Sequence, residues 1–174
     1  GVRVGREDAG RMGGGSRAHG GLYDRFCEGR VRDKCMAESS TYGLAIGAVM
    51  NGTIPVAEIQ FAYFSHPAFD QIVSEAARVR YRSNGDFGCP IVIRAPFGGG
   101  VHGGLYHSQS VEAFYAPVPG LTVVLPTTPE DTTRLPTAPI PAPPPAVFFS
   151  HNQPSPPPTA AHPARASPPP ARPA

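Results

Sequence analysis

Three kinds of side chain in this sequence have both the chemistry and the setting of a functional site. Glu38 lies where a loop meets a run of small residues, and His107 follows a glycine-rich loop. The aromatic residues Phe61, Tyr63 and Phe64 follow a predicted strand. A carboxylate can hold or transfer a proton, an imidazole can shuttle protons near neutral pH, and an aromatic ring can stack on a planar heterocycle. These residue types would suit a ligand site with acid–base chemistry if the fold brought them together.

Glu38 has two interpretations on its residue type and position alone. Partial burial at the loop–helix junction would disfavour the charged carboxylate and raise its proton affinity, as happens in active sites. A carboxylate in the first turn of a helix is also stabilised by the helix dipole without any catalytic role. The residues by themselves favour the second interpretation.

His107 and the aromatic residues have similar alternatives. Residues 98–104 are rich in glycine, so their backbone could approach a ligand closely and place the His107 imidazole for proton transfer. A surface histidine without a role fits the pattern equally well. Phe61, Tyr63 and Phe64 follow a strand at the edge where open α/β sheets bind ligands, but packing against the next helix is the alternative.

The composition narrows the kinds of partner. The 174 residues include 15 Lys and Arg against 13 Asp and Glu, scattered along the chain, which argues against nucleic acid and against an anionic membrane surface. No apolar run is long enough to cross a bilayer, and no stretch of the given sequence has the basic start and apolar centre of a signal peptide. Cys27, Cys35 and Cys89 lack the spacing of a disulfide framework or zinc site, which indicates a reducing compartment. Small molecules and proteins are the expected partners.

The hydrophobic pattern predicts helices that alternate with strands. The predicted helices cover residues 37–50 and the stretch that begins at Pro67, and the predicted strands cover residues 54–60, 90–94 and 121–126. Strands that alternate with helices favour a parallel sheet covered on both faces. The predicted fold class is therefore α/β.

The composition also divides the chain into three regions. Residues 1–20 are dense in glycine and arginine and are predicted to form a loop. Residues 21–131 carry the alternating pattern and are predicted to form the folded domain. Residues 132–174 consist mainly of Pro, Ala, Ser and Thr, with an apolar island at 147–149, and are predicted to be disordered or polyproline-like. A truncated or frame-shifted gene product explains this change of composition more economically than a functional extension.

Between residues 21 and 131 the sequence resembles the beta subunit of the decarboxylating first component of 2-oxoacid dehydrogenase complexes. The segments that carry the resemblance, in the order of the family, are 37–38 (AE), 55–61 (PVAEIQF), 67–73 (PAFDQIV), 81–83 (YRS), 98–100 (GGG) and 106–113 (YHSQSVEA). The resemblance implies a transketolase-like pyrimidine-binding domain, with a parallel sheet flanked by helices.

The resemblance also implies a cofactor and the residues that bind it. Thiamine diphosphate would lie between this subunit and an alpha subunit, which would hold Mg²⁺ and complete a heterotetramer. Glu38 would be the acid beside the aminopyrimidine ring, Phe64 the ring that stacks on it, and His107 the histidine that assists acyl transfer. Glu7 loosely matches an acidic residue linked to the cofactor, and the strand with Ile91 and Val92 matches one whose carbonyls help hold K⁺.

The implied activity is the oxidative decarboxylation of a 2-oxo acid, with transfer of the acyl group to a lipoyl-bearing acyltransferase core. Residues 81–83 and 106–107 favour a branched-chain 2-oxo acid over pyruvate. The compartment would be the cytoplasm in a bacterium and the mitochondrial matrix in a eukaryote.

Three departures from the family pattern motivate an alternative. Residues 34–36 (KCM) replace a Thr-Pro-Leu-like tripeptide before the glutamate, Tyr63 replaces a common acidic residue, and Pro117 replaces a usual histidine. A non-catalytic remnant that at most binds an alpha subunit is therefore the second hypothesis. A third hypothesis makes the proline-rich region a ligand for adaptor domains with aromatic grooves.

Overall fold

The computed structural model of the chain describes residues 2–6, 19–128, 131 and 144–151. The strands are β1 (Val2–Arg6), β2 (Val31–Asp33), β3 (Ile54–Glu58), β4 (Val92–Phe97), β5 (Thr122–Val124) and β6 (Ala146–His151). The α-helices are α1 (Leu22–Phe26), α2 (Glu38–Met50), α3 (Val79–Arg82), α4 (Gly104–His107) and α5 (Glu112–Tyr115). A 3-10 segment (Ala62–Ala68) and a π-helical segment (Gln71–Ala76) lie between β3 and α3.

The six strands form one parallel sheet in the order β2-β1-β3-β4-β6-β5. Parallel strands end at the same edge of a sheet, so the carboxyl ends of the adjacent strands β3, β4 and β6 meet there. The segments that follow β3 and β4 contain Phe64 and His107. The predicted α/β class, with a parallel sheet flanked by helices, is confirmed.

Helix α2 confirms the prediction for residues 37–50 to within one residue. Its buried residues recur every three or four positions and face the sheet: Thr41, Tyr42, Ala45, Ile46 and Val49. The helix ends at Met50 and is capped by Asn51, which is followed by Gly52 with φ of 79°, a left-handed conformation that glycine adopts without steric cost. Burial of this face fixes where the amino end of α2, with Glu38, lies.

The predicted helix after β3 begins differently in the structure. Pro67 lies inside the 3-10 segment rather than in the first turn of an α-helix. Side chains in this segment bond to its own carbonyls, Ser65 Oγ to Ala62 at 2.6 Å and His66 Nδ1 to Tyr63 at 2.6 Å. Such local bonds compete with α-helical pairing and favour a tight turn, which the apolar spacing could not predict.

Two strands lie in regions that were predicted to be irregular. The loop prediction for residues 1–20 was wrong at Val2–Arg6, since β1 pairs with β2 and β3. The disorder prediction for residues 132–174 was wrong at Ala146–His151, since β6 pairs with β4 and β5. Both strands are stabilised by partners distant in the sequence, which local composition does not report. The predictions for residues 7–18, 132–143 and 152–174 lie outside the described residues.

Candidate functional site

The carboxyl end of β3 pairs with the middle of β4. Glu58 and Arg94 occupy paired positions on the two strands, and the Ile59 N–H donates to the Arg94 carbonyl at 3.2 Å. The next residues on the β3 side lead to the 3-10 segment with Phe64, and those on the β4 side lead through the glycine-rich loop to α4 with His107. The sheet therefore brings together two side chains that are 43 positions apart in the sequence.

Phe61, Phe64 and His107 form what we call the inner cluster. The His107 ring lies 4.6 Å from Phe61 and 5.5 Å from Phe64, and the two phenylalanine rings are 6.1 Å apart, measured between centroids. The three interplanar angles lie between 83° and 88°, so each contact is edge-to-face, a favourable arrangement for aromatic quadrupoles. All three side chains are half-buried.

The tautomer of His107 follows from its hydrogen bond. Nδ1 lies 2.9 Å from the carbonyl oxygen of Gly103, and a carbonyl oxygen only accepts, so Nδ1 carries the hydrogen. In the neutral imidazole Nε2 is then the proton acceptor. A methyl group on Gly103 would collide with Cβ of His107, so glycine is needed there for the close approach.

Glu38 is the first residue of α2 and is half-buried. Two bonds support its surroundings: Thr41 Oγ1 donates to the Ala37 carbonyl at 3.1 Å, and Ser39 Oγ donates to the Pro67 carbonyl. The second bond ties the start of α2 to the 3-10 segment that carries Phe64. Glu38 and the inner cluster are therefore positioned by directly connected elements.

Two buried hydrogen bonds connect the 3-10 segment to α5 and stabilise its turn. The Tyr115 hydroxyl donates to Ser65 Oγ at 2.6 Å, and Ser65 Oγ donates in turn to the Ala62 carbonyl. Burial raises the pKa of Tyr115, an effect that the hydrogen bond to Ser65 partly offsets. The phenol thus stays a neutral donor, which holds the segment with Phe64 against α5.

Glu58 is a buried acid for which the sequence predicted no role. Its Oε2 lies 2.7 Å from Nε2 of His19 and also accepts a bond from Arg94 Nη1, and Glu58 is only 1% exposed. A buried carboxylate is stable only when paired, and this one joins β3, β4 and the residue that leads into α1. The sequence offered only one weak signal, a charge among the apolar residues of a strand.

His151 was also missed, because it lies in the region predicted to be disordered. It ends β6, and its ring is 5.3 Å from the Phe97 ring. A Cβ on Gly98 would lie 3.2 Å from His151 Nε2, and Gly98 has φ of 84°, so only glycine fits there without strain. His151 therefore packs at the base of the glycine-rich loop, on the same edge as the inner cluster.

The remaining sequence-predicted residues are not brought to this edge. Ile91 and Val92 lie at the amino end of β4, and the Ile91 carbonyl accepts the Ala146 N–H at 3.0 Å. Tyr81 is 91% exposed and lines a cavity with Pro144, which precedes β6, so it too lies toward the amino edge. Glu7 lies outside the described residues.

The three cysteines lie within the described residues and are free. Cys27 and Cys35 are exposed, and burial raises the pKa of Cys89 to about 11, so this thiol is a neutral core residue.

Within residues 2–6, 19–128, 131 and 144–151, no three His, Cys, Asp or Glu side chains converge as a metal cluster. None of the helices described is long and apolar enough to cross a membrane.

One protein-family model matches nearly the whole chain. Residues 1–157 match the family described as the transketolase pyrimidine-binding domain. The match extends on both sides beyond residues 21–131, over which the sequence resemblance was recognised. It therefore includes β1 and β6, in agreement with the sheet.

Two curated relatives illustrate the similarity in sequence. A 2-oxoisovalerate dehydrogenase subunit beta from Bacillus subtilis is 56% identical over 147 residues, which are 84% of this chain and 45% of the relative. A pyruvate dehydrogenase E1 component subunit beta from Mycoplasma pneumoniae is 45% identical over 143 residues, which are 82% of this chain and 44% of the relative. The chain spans slightly less than half the length of these relatives.

A solved structure supports the fold. A split-gene transketolase, described as an inactive beta4 tetramer, superposes with a TM-score of 0.63 at 24% sequence identity. The superposition covers 86% of this chain and 44% of that structure. At this low sequence identity the superposition supports a shared fold and carries no information about function.

Proposed function

Because the chain belongs to the transketolase pyrimidine-binding domain family, we propose that it provides the beta-subunit half of a thiamine diphosphate site in a 2-oxoacid dehydrogenase. The observation that carries this proposal is the contact between His107 and Phe64, which requires the ends of β3 and β4 to be adjacent. The tie between α2 and the 3-10 segment adds Glu38 to the same region. An acid, a stacking ring and a proton carrier are the groups that this half of the site needs.

The inner cluster fits a planar heterocycle. Three described rings contact Phe64, namely Phe61, Tyr63 and His107, and they meet it at interplanar angles of 83°, 70° and 86°. None of these three lies parallel to Phe64, so they do not occupy the offset-stacked arrangement that an aminopyrimidine ring would take. Phe64 is therefore the residue proposed to stack on the cofactor.

Each residue has a distinct proposed task. When bound, thiamine diphosphate supplies a carbon nucleophile and an electron sink for decarboxylation. Glu38 holds a proton at the pyrimidine ring nitrogen, a role that a half-buried carboxylic acid can fill. His107, with its hydrogen on Nδ1, exchanges a proton through Nε2 with the group that receives the acyl unit.

The rest of the proposed assembly lies outside this chain. An alpha subunit would hold the diphosphate and Mg²⁺ and form a heterotetramer with it, and the acyl group would pass to a lipoyl-bearing acyltransferase core. Ile91 and Val92 remain proposed contributors to a K⁺ site through their carbonyls, and Glu7 a proposed cofactor contact. The site would operate in the cytoplasm of a bacterium or the mitochondrial matrix of a eukaryote.

A branched-chain 2-oxo acid is the proposed substrate. The 2-oxoisovalerate relative is 56% identical and the pyruvate relative 45% identical, which supports this choice. Of the residues that suggested it, Tyr106 lies beside His107 at the candidate site, whereas Tyr81 lies toward the other edge of the sheet. Any direct selection of the substrate by this chain therefore depends on Tyr106 rather than on Tyr81.

Complementation tests the proposal. The full chain is mixed with the alpha subunit of a 2-oxoisovalerate dehydrogenase, thiamine diphosphate and Mg²⁺, and release of carbon dioxide is measured with 2-oxoisovalerate and with pyruvate. We expect release that requires both chains and is faster with 2-oxoisovalerate. Association with the alpha subunit without release from either substrate would instead support a non-catalytic chain that only binds the alpha subunit.

Replacing Gly103 by alanine is expected to lower turnover in that complex by about 10- to 100-fold, because the added methyl group displaces His107 and small displacements of a catalytic group are costly. Gly99 is the matched control, since a Cβ there meets no atom within 4 Å. We expect Gly99→Ala to retain turnover within about twofold of the parent chain. Equal turnover of the Gly103 and Gly99 variants would show that the position of His107 does not matter for the reaction.

A further inference from the structure

A second set of rings extends from the inner cluster toward exposed positions. We define the outer cluster as Tyr63, His66, Tyr106 and Phe114. Tyr63 lies 4.7 Å from His66 and 5.2 Å from Tyr106, and His66 lies 5.3 Å from Phe114, between ring centroids. Tyr106 and Phe114 are 54% and 53% exposed, yet their rings stay in this chain of contacts. The outer cluster therefore joins three segments of the chain: the 3-10 segment, α4 and α5.

Tyr63 is the ring through which the two clusters meet. Its ring is 6.3 Å from Phe64 in the inner cluster and 5.2 Å from Tyr106 in the outer cluster. Its carbonyl accepts the bond from His66 Nδ1, which fixes the turn that presents the ring. Tyr63 is half-buried, so it remains partly accessible to solvent.

The helix α4 needs such support. It contains four residues, too few to be stable by itself, and it follows a loop in which Gly98, Gly100 and His102 all have positive φ. Two neighbouring side chains of α4 contact the 3-10 segment: His107 through the inner cluster and Tyr106 through Tyr63. The contact of Tyr106 with Tyr63 is thus a second attachment point for α4 beside that of His107.

We propose that Tyr63 is a positioning residue whose ring holds Tyr106, and through α4 the imidazole of His107, against the segment that carries Phe64. This inference rests on the proposed function for its catalytic consequence, but the attachment itself is a property of the chain alone. The aromatic ring is the part of the Tyr63 side chain that makes these contacts, since the ring of Tyr63 meets the rings of Phe64, His66 and Tyr106. The hydroxyl group is not required.

The test compares Tyr63→Ala with Tyr63→Phe in the full chain. The first readout is the NMR signal of the His107 ring protons, which edge-to-face contact with Phe61 and Phe64 shifts away from the position of an exposed histidine such as His102. We expect Tyr63→Ala to move this signal toward the exposed position, and Tyr63→Phe to leave it unchanged. Tyr81→Ala is the control, since it removes a tyrosine that is 91% exposed.

The second readout is turnover with the alpha subunit. Loss of one aromatic attachment is expected to lower kcat by about three- to tenfold with little change in the KM for the 2-oxo acid, and Tyr63→Phe should restore it. An unchanged His107 signal in a folded Tyr63→Ala chain overturns the inference whatever the activity. If the parent complex has no turnover, the proposed function fails, and the NMR comparison alone still decides whether Tyr63 positions His107.

Discussion

Replacement of Glu38 by glutamine is expected to lower turnover of the complex with an alpha subunit by about 10²- to 10⁴-fold, the range that general acid–base groups contribute. Glutamine keeps the shape of the side chain and its hydrogen-bonding capacity but cannot hold and release a proton at a ring nitrogen. The start of α2 should remain in place, because it is fixed by the buried face of the helix and by the bond from Ser39 to Pro67. Carbon dioxide release from 2-oxoisovalerate measures the effect.

Two comparisons separate a chemical effect from a structural one. Binding of the Glu38→Gln chain to the alpha subunit, followed by sedimentation velocity, should match that of the parent chain. Glu28→Gln makes the same chemical change at an exposed residue just after α1, and we expect it to keep full turnover. Full turnover of the Glu38→Gln complex would remove this carboxylate from the mechanism, and weakened assembly would assign it a role in packing.

The elements nearest the proposed site show what a single sequence can predict. Helix α2 was predicted because its run of small and aliphatic residues and its terminal Asn51-Gly52 are local signals, and its bounds differ from the prediction by one residue. Strands β3 and β4 were predicted as short apolar runs for the same reason. Phe64 and His107 were identified by the resemblance to a family, and their placement after these two strands was visible in the sequence.

The contact between those two side chains was not predictable from local pattern. It depends on β4 lying next to β3, and the strand order is set by pairing between distant segments. The same holds for Glu58, whose partners His19 and Arg94 are 39 and 36 positions away. The hydrophobic periodicity of a single helix or strand cannot predict such an ion pair, because the pair connects residues from three different segments of the chain.

The region from residue 132 onward shows how composition can mislead. Its high proline content led to a prediction of disorder for all 43 residues, although the short apolar run at 147–149 was visible within it. A strand of six residues needs only such a run when neighbouring strands are available on both sides. In the structure β4 and β5 provide those neighbours, and Val147 and Phe149 are fully buried between them and the helices.

Phe149→Ala is therefore expected to lower the free energy of unfolding by about 3–5 kcal/mol, the range for removing a large buried aromatic side chain. The Phe149 ring is completely buried and lies 6.0 Å from Tyr115 and 5.8 Å from Phe97, between centroids. Urea denaturation of the full chain, followed by circular dichroism, measures the change. A domain of this size has a total stability of only about 5–15 kcal/mol, so much of the population could unfold.

The matched control is Phe87→Ala, which removes the same ring from a residue that is 49% exposed, and we expect a change below about 1 kcal/mol. The contrast distinguishes two views of the proline-rich region. If β6 is an integral strand, the Phe149 variant loses several times more stability than the Phe87 variant, and the candidate site loosens with it because β6 adjoins β4 along its whole length. If the two variants were equally stable, the sheet would not depend on β6, and His151 could not support the glycine-rich loop that leads to His107.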